Sequence, residues 1–115
     1  MRVTRLDQAP PYQPPSHHGV GGLRLQGHEA GPTARFWTGL SYYLPGGAAD
    51  VAPTVEETVY VVLDGELVVT ADGREETLRR YDSVHLTKGE TRSVENRSKR
   101  PVTLLVIIAL PPGED

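Results

Sequence analysis

His85 is the residue best suited to acid–base chemistry in this sequence, because an imidazole titrates near neutral pH. It lies between Val84 and Leu86 in a short apolar stretch. Side chains alternate along a strand, so Ser83 and His85 share one face and the two aliphatic side chains share the other. The sequence leaves both orientations open. Facing inward, His85 is a general base or a metal ligand; facing outward, it is a surface or subunit-contact imidazole.

Tyr60 is a second candidate, as a residue that contacts a ligand. Thr58 and Tyr60 are two residues apart and share one strand face, from which the phenol could hydrogen-bond a ligand or simply fill a barrel. Glu56 and Glu57 come directly before them. Because adjacent strand residues face opposite sides, at most one of these glutamates reaches the interior. A surface loop position is the alternative for either.

The other histidines carry weaker signals. His17 and His18 are neighbours and could bind a metal, but their spacing matches no known site, and half-buried loop histidines are the alternative. His28 lies in the loop sequence GHEAGP, where we expect an exposed side chain.

Four aromatic side chains lie on one long predicted strand. Trp37 and Tyr43 share one face of it, and Phe36 and Tyr42 share the opposite face, unless a bulge breaks the register. We expect one set to line the interior and the other to make a packing contact. For the inward set, aromatic packing in the core is the default interpretation, and stacking against a ligand is the functional alternative.

The elements that would position these residues are short strands. Twelve glycines and ten prolines separate apolar runs, which is typical of an all-β sandwich or barrel. Residues 1–16 are predicted to form a proline-rich N-terminal arm over the surface or a partner, and residues 17–115 a single barrel domain. The predicted strands cover residues 23–26, 34–44, 58–63, 66–71, 74–78, 83–86, 91–96 and 102–109. Asp64-Gly65 and Asp72-Gly73 are predicted to form type I′ hairpin turns.

Two of these strands, residues 59–63 and 103–109, are apolar on both faces. A strand in a one-sided sheet would alternate, so both faces should be covered. In a chain of 115 residues, a second subunit is the simplest way to bury the outer apolar face of these strands. The sequence therefore predicts a homodimer.

Composition excludes several classes of protein. A net charge of −3 argues against a nucleic-acid partner, and the absence of cysteine excludes disulfides, thiol catalysis and zinc–thiolate sites. The longest apolar run is strand-sized, so no membrane span is expected. The first residues, MRVTRLDQAPPYQPP, lack the apolar core of a secretory signal, and a cytoplasmic location is the expectation.

The stretch from Gly46 to Asn96 resembles the two-part motif of the cupins, in particular the small, single-domain, RmlC-like cupins of bacteria. The resemblance covers residues 40–110 and is strongest in PGG, in VYVVLDGE and in the second motif that ends at Asn96. It implies a jelly-roll barrel, also called a double-stranded β-helix, of two antiparallel sheets. It also implies a mouth open to small molecules and a dimer formed through outer strands.

In metal-dependent cupins, two histidines and a glutamate of the first motif and one histidine of the second bind a divalent metal. Carried over to this sequence, these positions hold Ala52, Thr54, Thr58 and Arg92. Alanine offers no ligand atom, threonine hydroxyls are poor ligands, and the arginine brings a positive charge. The standard metal is therefore predicted to be absent. A relocated site that uses His85 with His17 or His18 stays open as an alternative.

Arg92 is the most informative of these substitutions. If it follows the replaced histidine, it points into the barrel and needs acceptors to offset its burial, as an anion clamp for a carboxylated or phosphorylated ligand would. The alternative is a position near the mouth, in water or paired with Glu57. By the same resemblance, Thr58 and Tyr60 lie on the cavity side.

Three functions fit these observations. The leading one is a metal-free cupin that binds a small anionic or hydroxylated organic molecule. Its candidate binding residues are Thr58, Tyr60, His85, Arg92, Trp37, Tyr43 and Glu57. The second is an enzyme of the isomerase, lyase or dioxygenase type, with His85 as base and Tyr60 as acid. The third is a degenerate barrel used for protein association, with residues 1–16 as a contact element.

Overall fold

The structure is a computed structural model that describes residues 1–112. Nine strands make up most of this range, joined by two short 3₁₀ turns, Leu6–Gln8 and His28–Ala30. The strands are β1 (Pro11–Tyr12), β2 (His17–Gln26), β3 (Phe36–Pro53), β4 (Thr58–Asp64), β5 (Leu67–Ala71), β6 (Arg74–Leu78), β7 (Ser83–Leu86), β8 (Thr91–Glu95) and β9 (Val102–Ala109). No helix within residues 1–112 has the length and apolar character needed to cross a membrane.

The long strand β3 joins two antiparallel sheets into one barrel. Its first half pairs with β2 and β9, and its second half pairs with β8 and with the first two residues of β2. A register shift between Ala49 and Ala52 interrupts the β8 pairing, as a bulge does where a strand bends. The strand order runs β6-β5-β8-β3-β9-β4-β7, with β1 and β2 added alongside β3. The predicted all-β jelly-roll barrel of two antiparallel sheets is confirmed.

The two predicted hairpin turns have different outcomes. Asp72 and Gly73 have φ values of 51° and 69° and join the paired residues Ala71 and Arg74, as a type I′ turn requires. The Asp64-Gly65 prediction is wrong, because β4 pairs with β7 and β9 whereas β5 pairs with β6 and β8. This turn carries the chain from one sheet to the other.

The inner faces of the strands form the core. In β4, Thr58, Tyr60 and Val62 are buried, whereas the alternate side chains are partly exposed. In β9 the same alternation buries Val102, Leu104 and Val106. The outer apolar side chains of both strands therefore remain half-covered within one chain, and the second subunit stays a prediction.

The N-terminal arm packs along its own barrel. Tyr12 pairs with Gly22 of β2, and the backbone N–H of Arg24 donates to the carbonyl oxygen of Pro10 at 2.8 Å. A Cβ atom on Gly22 would lie 2.6 Å from the ring of Tyr12, so only glycine leaves room for that ring. The guanidinium of Arg2 also anchors the arm, donating to the carbonyl oxygen of Gly31 at 3.0 Å.

Candidate functional site

A cavity of about 530 Å³ opens between the inner faces of the barrel strands and the N-terminal arm. Its volume falls in the range of small-molecule binding sites. Strands β3, β4, β8 and β9 supply one part of the wall, and residues 12–16 of the arm supply another. The arm is thus part of the cavity.

One end of the cavity is aromatic. The rings of Tyr12 and Trp37 meet edge to face with centroids 5.6 Å apart, and the imidazole of His28 lies 5.3 Å from the indole. The guanidinium carbon of Arg24 stands 3.8 Å from the Tyr12 centroid and 4.5 Å from that of Trp37. Arg24 also donates to Glu29 at 2.9 Å, which lowers the pKa of Glu29 and offsets the arginine charge.

The other end is cationic. Arg92 Nη1 donates to the backbone carbonyl oxygen of Asp50 at 2.8 Å. His17 Nδ1 lies 2.7 Å from the carbonyl oxygen of Pro15, and since a carbonyl only accepts, Nδ1 must carry the proton. Burial lowers the pKa of His17, and the Arg92 charge lowers it further. The ring of Tyr43 lies 6.3 Å from that imidazole, and burial raises the pKa of Tyr43 well above its ordinary value.

Between these ends, β4 supplies a polar wall. Thr58 and Tyr60 are both buried and both line the cavity, as their shared strand face indicates. The hydroxyl of Thr58 donates to the carbonyl oxygen of Glu56 at 2.8 Å. Thr54 donates likewise to the carbonyl oxygen of Glu90 at 2.7 Å.

Glu56 contributes a carboxylate to the cavity lining. Its side chain is only 13% exposed and its Oε1 lies 3.2 Å from Lys88 Nζ. Among the residues of the described range that line the cavity, no other is acidic. Glu57 rather than Glu56 was among the predicted binding residues, although Glu56 precedes Thr58 and Tyr60 at the same two-residue spacing. That parity was the signal that could have identified it.

Of the two orientations that the sequence leaves open for His85, the structure has the outward one, so its prediction as a catalytic and binding residue of the cavity is wrong. His85 pairs in register with Val59, which is on the outer face of β4, so its side chain points away from the cavity. There its Nε2 lies 2.6 Å from Glu57 Oε2, with the two side chains 54% and 64% exposed. Glu57, also predicted to bind ligand, is therefore outside the cavity, and the alternative pair of Glu57 with Arg92 is not formed.

The remaining predicted residues do line the cavity. They are Thr58, Tyr60, Trp37, Tyr43 and Arg92. Trp37 and Tyr43 face inward together, and Phe36 and Tyr42 lie on the opposite face of β3. His17 joins them as the first residue of β2, whereas His18 is exposed and lies 3.1 Å from the carboxylate of Asp50.

The residues at the usual cupin ligand positions do not fit a divalent metal. Ala52 has no donor atom, and the hydroxyl protons of Thr54 and Thr58 are committed to backbone carbonyls. The fourth position presents the charged guanidinium of Arg92. A relocated site is not assembled either, because His85 lies on the outer face, and the described residues contain no group of three or more acidic or histidine side chains arranged for a metal.

The chain belongs to the cupin family: the cupin domain matches residues 39–108. It is 62% identical over 114 residues to a protein of Mycobacterium tuberculosis named a β-D-galactosidase. That similarity covers 99% of this chain and 98% of the relative.

Solved structures show the same fold. The polyketide cyclase RemF of Streptomyces resistomycificus has a TM-score of 0.82 at 16% identity, covering 95% of this chain and 79% of that one. An RmlC-like cupin of Shewanella frigidimarina has a TM-score of 0.79 at 14% identity, covering 99% of this chain and 95% of that one. At such identities the similarity concerns the barrel alone.

Proposed function

We propose that this protein is a glycoside hydrolase that binds a β-D-galactoside in its cavity and hydrolyses the glycosidic bond. The observation that carries the proposal is the cavity itself, with Glu56 as an acidic residue in its wall. The choice of a β-D-galactoside rests on the relative named a β-D-galactosidase, which is 62% identical and matched over nearly its whole length. An enzyme built on His85 and Tyr60 is not carried further, because His85 lies outside the cavity.

The lining suits a hydroxylated ring. Trp37 and Tyr12 offer apolar surface against which the C–H face of a pyranose can pack. Tyr43, Tyr60 and Arg92 bring hydrogen-bonding groups to the same cavity, as orientation of a sugar requires. In this proposal the ring sits along the barrel wall, with its hydroxyls toward these three side chains.

Hydrolysis needs a group that activates water and a group that protonates the leaving oxygen. The side chain of Glu56 takes a proton from the water whose oxygen bonds to the anomeric carbon. Tyr60, two residues along the same face, gives its proton to the leaving oxygen as the glycosidic bond breaks. Solvent then returns one proton from Glu56 to Tyr60, so that one water is consumed for each bond cleaved.

A chromogenic substrate tests this proposal. Protein made in a host without its own β-galactosidase should release nitrophenol from nitrophenyl β-D-galactoside, and much less from the epimeric β-D-glucoside or from the α-D-galactoside. Protein carrying Glu56→Gln, purified in parallel, controls for contaminating enzyme. Release no faster than in buffer, from protein shown to be folded by circular dichroism, would refute hydrolysis.

Binding without turnover is the second candidate function. The observation in its favour is that Glu56 is the single acidic residue among the described cavity residues, whereas most glycoside hydrolases use two carboxylates. A thiogalactoside, whose sulfur bridge resists hydrolysis, should then bind in a calorimeter while the oxygen glycoside is left intact. Cleavage of the oxygen glycoside would exclude this function.

A further inference from the structure

The charges within the cavity are unequally matched. Arg24 is paired with Glu29 at 2.9 Å, and Glu56 is paired with Lys88 at 3.2 Å. Arg92 has no carboxylate oxygen within 4.0 Å among residues 1–112. The cavity therefore contains one guanidinium whose charge no described side chain offsets directly.

Among residues 1–112, the Arg92 side chain donates to a single acceptor, which leaves most of its N–H groups to a ligand or to solvent. A guanidinium carries five N–H donors in a planar fork, and here one nitrogen donates to the carbonyl oxygen of Asp50. The Asp50 carboxylate is itself engaged with His18 at 3.1 Å. A planar fork with free donors matches the two oxygens of a carboxylate or phosphate.

His17 lines the same cavity as Arg92, close enough for the arginine charge to lower the pKa of the imidazole. Its Nδ1 proton is held by the carbonyl oxygen of Pro15, which leaves Nε2 as the ring nitrogen available to a ligand. The charged and titratable groups around it are Arg92 on β8, Asp50 and Tyr43 on β3, and His18 on its own strand. Burial and the Arg92 charge favour the neutral ring and outweigh the hydrogen bond to Pro15 and the Asp50 charge, which favour the protonated ring. An anion placed here would favour the protonated ring.

We propose that Arg92 and His17 form a subsite for an anionic group, a carboxylate or a phosphate, carried by the sugar, so that acidic galactosides are the preferred ligands. This inference rests on the proposed function for the identity of the sugar. The anion offsets the unmatched arginine charge and accepts a second hydrogen bond from the imidazolium that forms when it binds.

Calorimetry with three sugars tests the subsite. Galacturonate carries a carboxylate where galactose has a hydroxymethyl group, and galactose 6-phosphate carries a phosphate there. We expect at least one of the acidic sugars to bind about tenfold or more tightly than galactose, which is the effect of a charged hydrogen bond. The better of the two identifies the anion.

Variants locate the effect. Arg92→Gln should remove the preference for the acidic sugar, and Arg92→Lys should retain part of it because the charge is kept. Arg79→Gln, which removes an exposed arginine 3.7 Å from Glu66, is the matched surface control and should change nothing. A preference that survives in Arg92→Gln would overturn the subsite.

Proton uptake tests the part of His17. At pH 7 the lowered pKa of His17 favours the neutral ring, so binding of galacturonate, whose carboxylate is already ionised, should take up protons. The binding heat should then depend on the ionisation enthalpy of the buffer. Uptake should vanish in His17→Gln; uptake that persists there would remove His17 from the subsite.

The outcomes separate this inference from the proposed function. If galactose and both acidic sugars bind wild-type protein equally, or if neither acidic sugar binds, the subsite is wrong while cleavage of nitrophenyl galactoside can still stand. If an acidic sugar binds in an Arg92-dependent way and no galactoside is cleaved, the subsite stands and the hydrolase proposal fails.

Discussion

Glu56 and Glu57 are neighbours in sequence, yet they lie on opposite sides of the barrel wall. Glu56 is in phase with the buried residues Thr58 and Tyr60 and is largely shielded from solvent. Glu57 lies on the outer side, 2.6 Å from His85. The pair therefore offers a matched comparison in which the same chemical change is made inside and outside the cavity.

Glu56→Gln should lower kcat for β-D-galactoside hydrolysis by about 100-fold or more, because an amide cannot take the proton from water. Glu57→Gln should leave kcat within about twofold of the wild type. Initial rates with nitrophenyl β-D-galactoside measure both. Equal losses in the two variants would contradict the assignment of Glu56 as the base.

The sequence located part of the site for a clear physical reason. The cupin resemblance places Thr58 and Arg92 in the cavity, and Tyr60 follows because alternate residues of a strand share a face. His85 could not be placed in this way. Its face depends on the register of β7 against β4, a non-local pairing that no residue of β7 reveals by itself.

At the scale of elements, Asn96 ties the end of β8 to two other segments. It is fully buried, and its side-chain nitrogen donates to the carbonyl oxygens of Tyr43 at 3.0 Å and Arg100 at 2.8 Å. Its side-chain oxygen accepts from the backbone N–H and the hydroxyl of Ser98, at 3.0 and 2.7 Å. One amide thus satisfies groups on β3 and on the loop that leads to β9.

Asn96→Ala should lower the free energy of unfolding by about 2–4 kcal/mol, because it leaves buried backbone carbonyls without donors. Urea unfolding followed by circular dichroism measures the change. Ser98→Ala, which removes one hydroxyl of the same loop, should cost about 1 kcal/mol. If Asn96→Ala lowers the free energy of unfolding no more than Ser98→Ala does, the Asn96 amide is not the main stabilising contact of this loop.

Most strands could be predicted, but the ends of the longest could not. Alternation and turn residues located the strands from β4 to β9 within a few positions. The prediction stopped at Leu44 in β3, because proline and glycine at 45–47 indicate a turn. In the structure they lie within β3, where Gly46 adopts φ 81° and its N–H donates to the carbonyl oxygen of Asn96 at 2.9 Å. A bulge of this kind depends on its partner strand.

At the scale of the whole molecule, we propose a homodimer formed through the outer face of β4 and β9. Val59, Val61, Leu105 and Ile107 are only partly covered there in one chain. Ile107→Glu should therefore halve the mass measured by sedimentation velocity, because burying a carboxylate in an apolar contact is costly. Val3→Glu, at a position already 58% exposed, should leave the mass unchanged. Wild-type protein that sediments as a monomer at high concentration would refute the dimer.

Metal removal should leave this protein intact. Because Ala52, Thr54, Thr58 and Arg92 do not fit a divalent metal, dialysis against a chelator should change neither the thermal midpoint nor galactoside turnover. Differential scanning calorimetry and the nitrophenol assay measure the two quantities. A loss of either that an added divalent metal restores would contradict this expectation.

The N-terminal arm lines part of the cavity, so some ligand contacts are made by residues that do not also pack the core of the barrel. Residues 13–16 line the ligand space but lie outside the strands, and all of them except Pro14 are exposed, whereas Leu104 is packed in the core. Exchanging this short segment between relatives is thus a way to retune ligand choice in a laboratory or in evolution while the scaffold keeps its stability.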